Sequence, residues 1–219
     1  MILSPVVLRL TWEALQETLV MVGLATLLAE LGGLPLGILL VVTEPGRILA
    51  SPRLNQAVGA LVNVGRSIPF IILMVAIIPF TRWVVGTSIG TAAAMVPLTV
   101  AAIPYVARLV ESSLKEVDPG VVEAVVAMGA SPWQVIRKVY LPEAVPSLIL
   151  GATITAITLV GYSAMAGAVG GGGLGDLAIR YGYQRFRTDV MLVTVLVLVV
   201  LVQGIQLLGN RWARRLDRR

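Results

Sequence analysis

The 219-residue chain is 57% hydrophobic and only 13% charged, with a mean hydropathy of +0.90, whereas soluble domains average about 25% charged residues; this composition excludes a soluble globule and indicates a membrane protein. The absence of Cys and His removes the usual ligands and bases of zinc, iron–sulfur, haem, thiol and histidine-triad chemistry, so neither a resident cofactor nor a catalytic centre is expected. The net charge of +5 would suggest a nucleic-acid partner in a soluble chain and basic cytoplasmic loops in a membrane one.

A membrane-crossing helix needs about 20 mostly apolar residues; three stretches of that length lie between charges and two more contain a single charge, five in all. Residues 1–8 are too short an apolar run for a cleavable signal, and 11–18 are polar and acidic. The first 18 residues therefore read as a short amphipathic lead-in at the interface, with Trp12 as an anchor. Spans follow near 19–42 (carrying Glu30), 57–80 (carrying Arg66), 88–110, 147–169 and 190–209. Pro35, Pro69, Pro79, Pro97 and Pro104 lie inside or at the ends of these spans, so kinks are expected, with neighbouring helices re-satisfying the freed carbonyls.

The predicted architecture is thus all-α and polytopic: one transmembrane domain over 1–219, with five spans and termini on opposite sides. Arg47, Arg53, Lys115, Arg137, Lys138 and the five arginines of the tail fall on one side; Arg9, Arg82, Arg180, Arg185 and Arg187 fall on the other. This two-to-one bias places the N-terminus outside and the C-terminus in the cytoplasm. It also leaves no nucleic-acid reading, because the basic excess is spread over loop ends and a tail that would lie at an anionic leaflet.

The connection between spans 3 and 4, residues 111–146, is too long to be a bare loop. Asp118 reads as an N-cap with Pro119 at the first helical position, opening a short helix over 121–128 that stops at Gly129. Ser131, Pro132 and Gln134 form a capping-box pattern for a second helix, and Leu141-Pro142 reads as its stop. Two short helices separated by a glycine turn are expected. On pattern alone, an amphipathic interfacial link is the alternative.

Within this loop, Glu123-Ala124-Val125, Gly129 and Val139-x-Leu141-Pro142 resemble the cytoplasmic signature of ABC importer permeases, with Val125 and Val139 as conservative departures from Ala and Ile. The resemblance implies a helix that inserts into a cleft of a separate ATPase, so that closure of the nucleotide dimer moves the spans. The coupling residues would be Glu123, Ala124, Gly129, Ser131, Trp133, Leu141 and Pro142, within 118–142. Gly129 would permit the turn, Glu123 would cap or pair locally, and Trp133 would be an aromatic anchor, either on the ATPase or at lipid headgroups.

Further stretches, at 63–73, 78–82, 85–90, 96–100 and 159–165, are similar to one branch of that family, the methionine-uptake permeases. The resemblance covers 17–211. It implies a homodimer in the inner membrane, two copies of an ATPase, an extracytoplasmic binding protein, and methionine, L- or D- or both, as cargo. The chain has no Gly-x4-Gly-Lys-Ser/Thr loop, so it is not itself expected to be an enzyme. Gly170, Gly172 and Gly175 fit Gly-x-Gly-x-x-Gly but follow a span rather than a strand, and read as a flexible outer turn near the binding-protein face.

Tyr162, Ser163 and Met165 are candidates for the translocation pathway, Ser163 for its hydroxyl and Met165 as a polarizable plug; ordinary helix packing is the other reading. Of the two intramembrane charges, Arg66 is expected to make hydrogen bonds within the bundle near its cytoplasmic half, and Glu30 to face another helix or the interface. A secondary transporter or channel using Glu30 and Arg66 as ion sites is the alternative function. It fits less well, since five spans cannot form two equal inverted halves.

Overall fold

The computed structural model describes residues 5–217, and all regular structure in them is helical. Helix α1 (Pro5–Val42) runs 38 residues without a break, about 57 Å at 1.5 Å per residue. Over residues 5–18, the described part of the expected lead-in, no separate element forms. From Pro5 onward it is the first part of the spanning helix, because nothing between Pro5 and Leu19 stops helical hydrogen bonding.

The core is a seam between α1 and α5 (Thr91–Lys115). Ala25, Ala29, Gly33 and Gly37 recur every fourth residue on α1 and are buried; Leu98, Ala102, Val106, Val110 and Leu114 do the same on α5. Small residues let the backbones approach, which is where van der Waals contact gives helices their association energy in lipid. A Cβ added at Gly33 or Gly37 would lie 2.5 Å from Val106 or Val110. The ridge of one helix thus sits directly in the groove of the other.

The second span, expected as one helix over 57–80, is instead broken. Helix α2 (Pro52–Ser67) and α3 (Phe70–Ala76) meet at 98°. Ile68, which precedes Pro69, is extended at φ −86, ψ 120, as the proline ring demands of its predecessor. A second interruption at Ile77 precedes α4 (Ile78–Val85), with Pro79 in its first turn. Four helices are individually long and apolar enough to cross a membrane, and the bent α2–α3 pair makes a fifth crossing if it counts as one span.

After α5 comes the short α6 (Pro119–Ala127), then α7 (Pro132–Val135), a π-helical turn at Ile136–Tyr140, and α8 (Leu141–Gly167). The last three are continuous over 36 residues, so the expected stop at Leu141-Pro142 is not one. A proline ring clashes with the carbonyl four residues earlier. The widened π turn ends just before Pro142 and eases that register, so the helix continues. Between α5 and α8, α6 alone is a free-standing short helix.

The glycine run is not flexible either. Gly170, Gly172 and Gly173 adopt φ of +88, +78 and +75 and turn the chain into α9 (Gly173–Leu177), which is buried at Gly173, Leu174, Gly175 and Leu177. Gly175 packs so closely on α8 that a Cβ would lie 2.4 Å from the Ala164 Cα. Two side chains of α1 hold the turn: Glu17 accepts from the Gly173 N–H at 2.6 Å and Thr18 Oγ1 from the Leu174 N–H at 2.9 Å. A second π turn (Ala178–Tyr183) leads to α10 (Thr188–Leu216), whose apolar window is only 11% buried, leaving most of that helix free to meet lipid.

Candidate functional site

The loop between α5 and α8 is built by local caps. Asp118 accepts from the Gly120 N–H at 2.8 Å to open α6. Ser131 accepts from the Gln134 N–H while the Gln134 side chain accepts from the Ser131 N–H at 2.8 Å, a complete capping box. Between them Gly129 adopts φ +88 with no neighbouring atoms, so the position needs glycine for its backbone and not for space.

This helix–turn–helix is anchored inward by Val122, Val135 and Ile136, which are buried. Its outer surface carries Met128 at 77% and Trp133 at 67% exposure, together with exposed Glu123, Ala124 and Ser131. Glu123 makes no hydrogen bond or ion pair among the described residues. The local capping expected of it falls to Asp118 and Gln134. Leu141 and Pro142 stand at the start of α8, one half-buried and one exposed. The loop thus presents an exposed apolar tip beside a carboxylate that has no hydrogen-bond or ion-pair partner among the described residues.

The pathway candidates separate. Tyr162 stacks on Phe70 at 4.6 Å with 6° between the rings. Ser163 is buried and donates to the Val160 carbonyl at 2.8 Å, so its hydroxyl is committed within its own helix. Met165 is 49% exposed. Arg66 is exposed and makes no hydrogen bond within the chain among the described residues, contrary to the expected bundle contacts. Glu30 faces α5 and α8, in a crevice with Val106, Val110, Ser113, Leu148 and Gly151. Arg66 lines a different cavity, so the two charges share no relay.

Residues 33–219 match the family described as the binding-protein-dependent transport system inner membrane component. The chain belongs to that family. Among its relatives, the probable D-methionine transport system permease protein MetI of Vibrio cholerae is 56% identical over 99% of this chain and 94% of the relative. The D-methionine transport system permease protein MetI of Escherichia coli strain K12 is 58% identical over 69% of this chain and 70% of that protein. A solved chain from inward-facing conformations of the MetNI methionine ABC transporter superposes with a TM-score of 0.97 at 52% identity, covering 99% of this chain and all of the other. A chain of an amino acid ABC transporter at 20% identity and TM-score 0.78 shares the fold.

One cluster of this inner-membrane transport component has no counterpart in the sequence-based expectations. Arg108 donates to Asn63 Oδ1 at 2.7 Å and pairs with Glu111; Lys115 bridges Glu111 and Glu44, each at 3.0 Å. The network joins the end of α5 to α2 and to the turn after α1. Its signal is the charges three and four apart at 108, 111 and 115, at the end of the 88–110 span, where no role was expected of Arg108. The bundle contacts expected of Arg66 belong to Arg108.

Proposed function

We infer that this chain is the membrane-spanning permease of an ATP-driven methionine importer. It works as a homodimer with two copies of a separate cytoplasmic ATPase, and an extracytoplasmic binding protein delivers the cargo. The N-terminus lies outside, and the 118–142 loop faces the cytoplasm with the basic tail. The observation that carries this reading is the preformed knob of α6, Gly129 and α7, whose Met128, Trp133 and unpaired Glu123 point away from the protein in a chain without a nucleotide loop. Because α7 continues into α8, movement of the knob reaches the spans through one helix. Methionine as cargo rests on the relatives named above.

Reconstitution in proteoliposomes with the cognate ATPase and binding protein tests the reading. Methionine uptake is expected only with internal or external ATP on the ATPase side and with the binding protein on the opposite side. Uptake driven by a proton gradient without ATP would overturn it.

A further inference from the structure

The break between α2 and α3 opens a cavity of about 130 Å³ whose polar lining is Arg66, Tyr105 and Tyr162, and whose apolar lining includes Ile68, Phe70 and Ala101. Ala101 and Tyr105 lie near the middle of α5, so the cavity is at mid-depth of the span. A guanidinium at that depth is costly against lipid and belongs on a water-filled path or a protein interface, and irregular backbone such as Ile68-Pro69 is tolerated in the same places. The Arg66 guanidinium and the hydroxyls of Tyr105 and Tyr162 have no hydrogen-bond partner among the described residues, and no carboxylate lines the cavity. Three free donors beside an apolar wall complement a small anion with an apolar tail.

We propose that this cavity is a transit subsite in the permease that binds the α-carboxylate of an apolar amino acid through Arg66, with Tyr105 and Tyr162 as further donors. The apolar side chain of the cargo lies along Ile68, Phe70 and Ala101, and its ammonium group remains toward the open side, where no protein acid awaits it. Guanidinium is suited to this role because its donors match both carboxylate oxygens at once, while the stack of Phe70 on Tyr162 fixes the wall. The proposal rests on the importer reading and adds to it a contact site in the permease itself.

The test measures ligand binding to the permease–ATPase complex in nanodiscs without the binding protein. The probes are methionine, its des-amino analogue, which keeps the carboxylate, and methioninol, in which the carboxylate is reduced to an alcohol. Methionine and the des-amino analogue are expected to bind within about three-fold of each other and methioninol about ten-fold or more weaker, the scale of a lost charged hydrogen bond. Arg66→Gln should weaken methionine about ten-fold and leave methioninol unchanged; Tyr105→Phe should weaken methionine about three-fold while keeping the fold. Equal binding of methionine and methioninol, or no methionine binding by the wild-type complex, would overturn the subsite. So would undiminished methionine binding by both variants, or an Arg66→Gln complex that falls apart while Tyr105→Phe binds like wild type. ATP-dependent uptake by the wild-type complex, measured separately, distinguishes each of these outcomes from failure of the importer reading.

Discussion

At the scale of single residues, the loop proposed to face the ATPase depends on groups that do little for the fold. Glu123 makes no hydrogen bond or ion pair among the described residues, so Glu123→Arg is expected to leave the thermal unfolding midpoint in detergent unchanged and to lower ATP-driven uptake at least several-fold. Ser131 is different, because its side chain closes a capping box. Ser131→Ala should cost about 1 kcal/mol of local stability, detectable as faster amide exchange over the first turn of α7. Gly129→Ala forces an L residue to φ +88, and costs about 1–2 kcal/mol by backbone strain alone, since no atom lies near the added methyl. These caps were legible in the sequence because each acts over three or four residues. The roles of Arg66 and Arg108 were not, because choosing which arginine is bonded within the bundle needs the distance from Arg108 to Asn63, 45 residues away.

At the scale of elements, the α1–α5 seam and the glycine turn carry the packing. A side chain at Gly37 would meet the Val110 Cβ at 2.5 Å and the Ala107 carbonyl at 2.7 Å, and neither can move far. Gly37→Val is expected to lower stability by about 3 kcal/mol or more, above the range of ordinary overpacking because backbone as well as side chain must shift, with loss of folded protein read by gel filtration in detergent. Gly23→Ala, on the same helix with nothing within 4 Å, should be neutral in the same assay. Glu17→Ala removes the acceptor for the Gly173 N–H, and should loosen the turn, raising exchange at Gly173 and Leu174. The long helices could be read from apolar length. The break at Ile68-Pro69 was visible as a kink, but a 98° bend depends on how α3 packs on α5. The coupling between Glu17 and residue 173 spans 156 positions and leaves no periodic mark in the sequence.

At the scale of the whole molecule, the chain is asymmetric in what it buries. The α1, α5 and α8 core is closed, whereas α10 exposes most of its surface and the knob at Met128 and Trp133 stands free. A Met128→Ala, Trp133→Ala double variant is expected to fold normally and to weaken co-purification with the ATPase at least ten-fold; retention of full binding would show that another surface holds the partner. Met165, exposed near the C-terminal end of α8, is the proposed plug of the pathway, so Met165→Ala should raise methionine leak from loaded liposomes without ATP. An unchanged leak would assign Met165 to packing.

The continuity of α7 and α8 sets how the two faces of the membrane keep time. A single rod of 36 residues is about 54 Å long, so a tilt of about 5° at its free end displaces the far end by about 5 Å. The π turn at Ile136–Tyr140 loosens the hydrogen-bond register of this helix, and Pro142 and Pro146 follow it within two turns, so the irregular stretch lies next to the knob. Under the importer reading, a displacement of the knob would pass along one helix, beyond the π turn and Pro146, to the glycine turn.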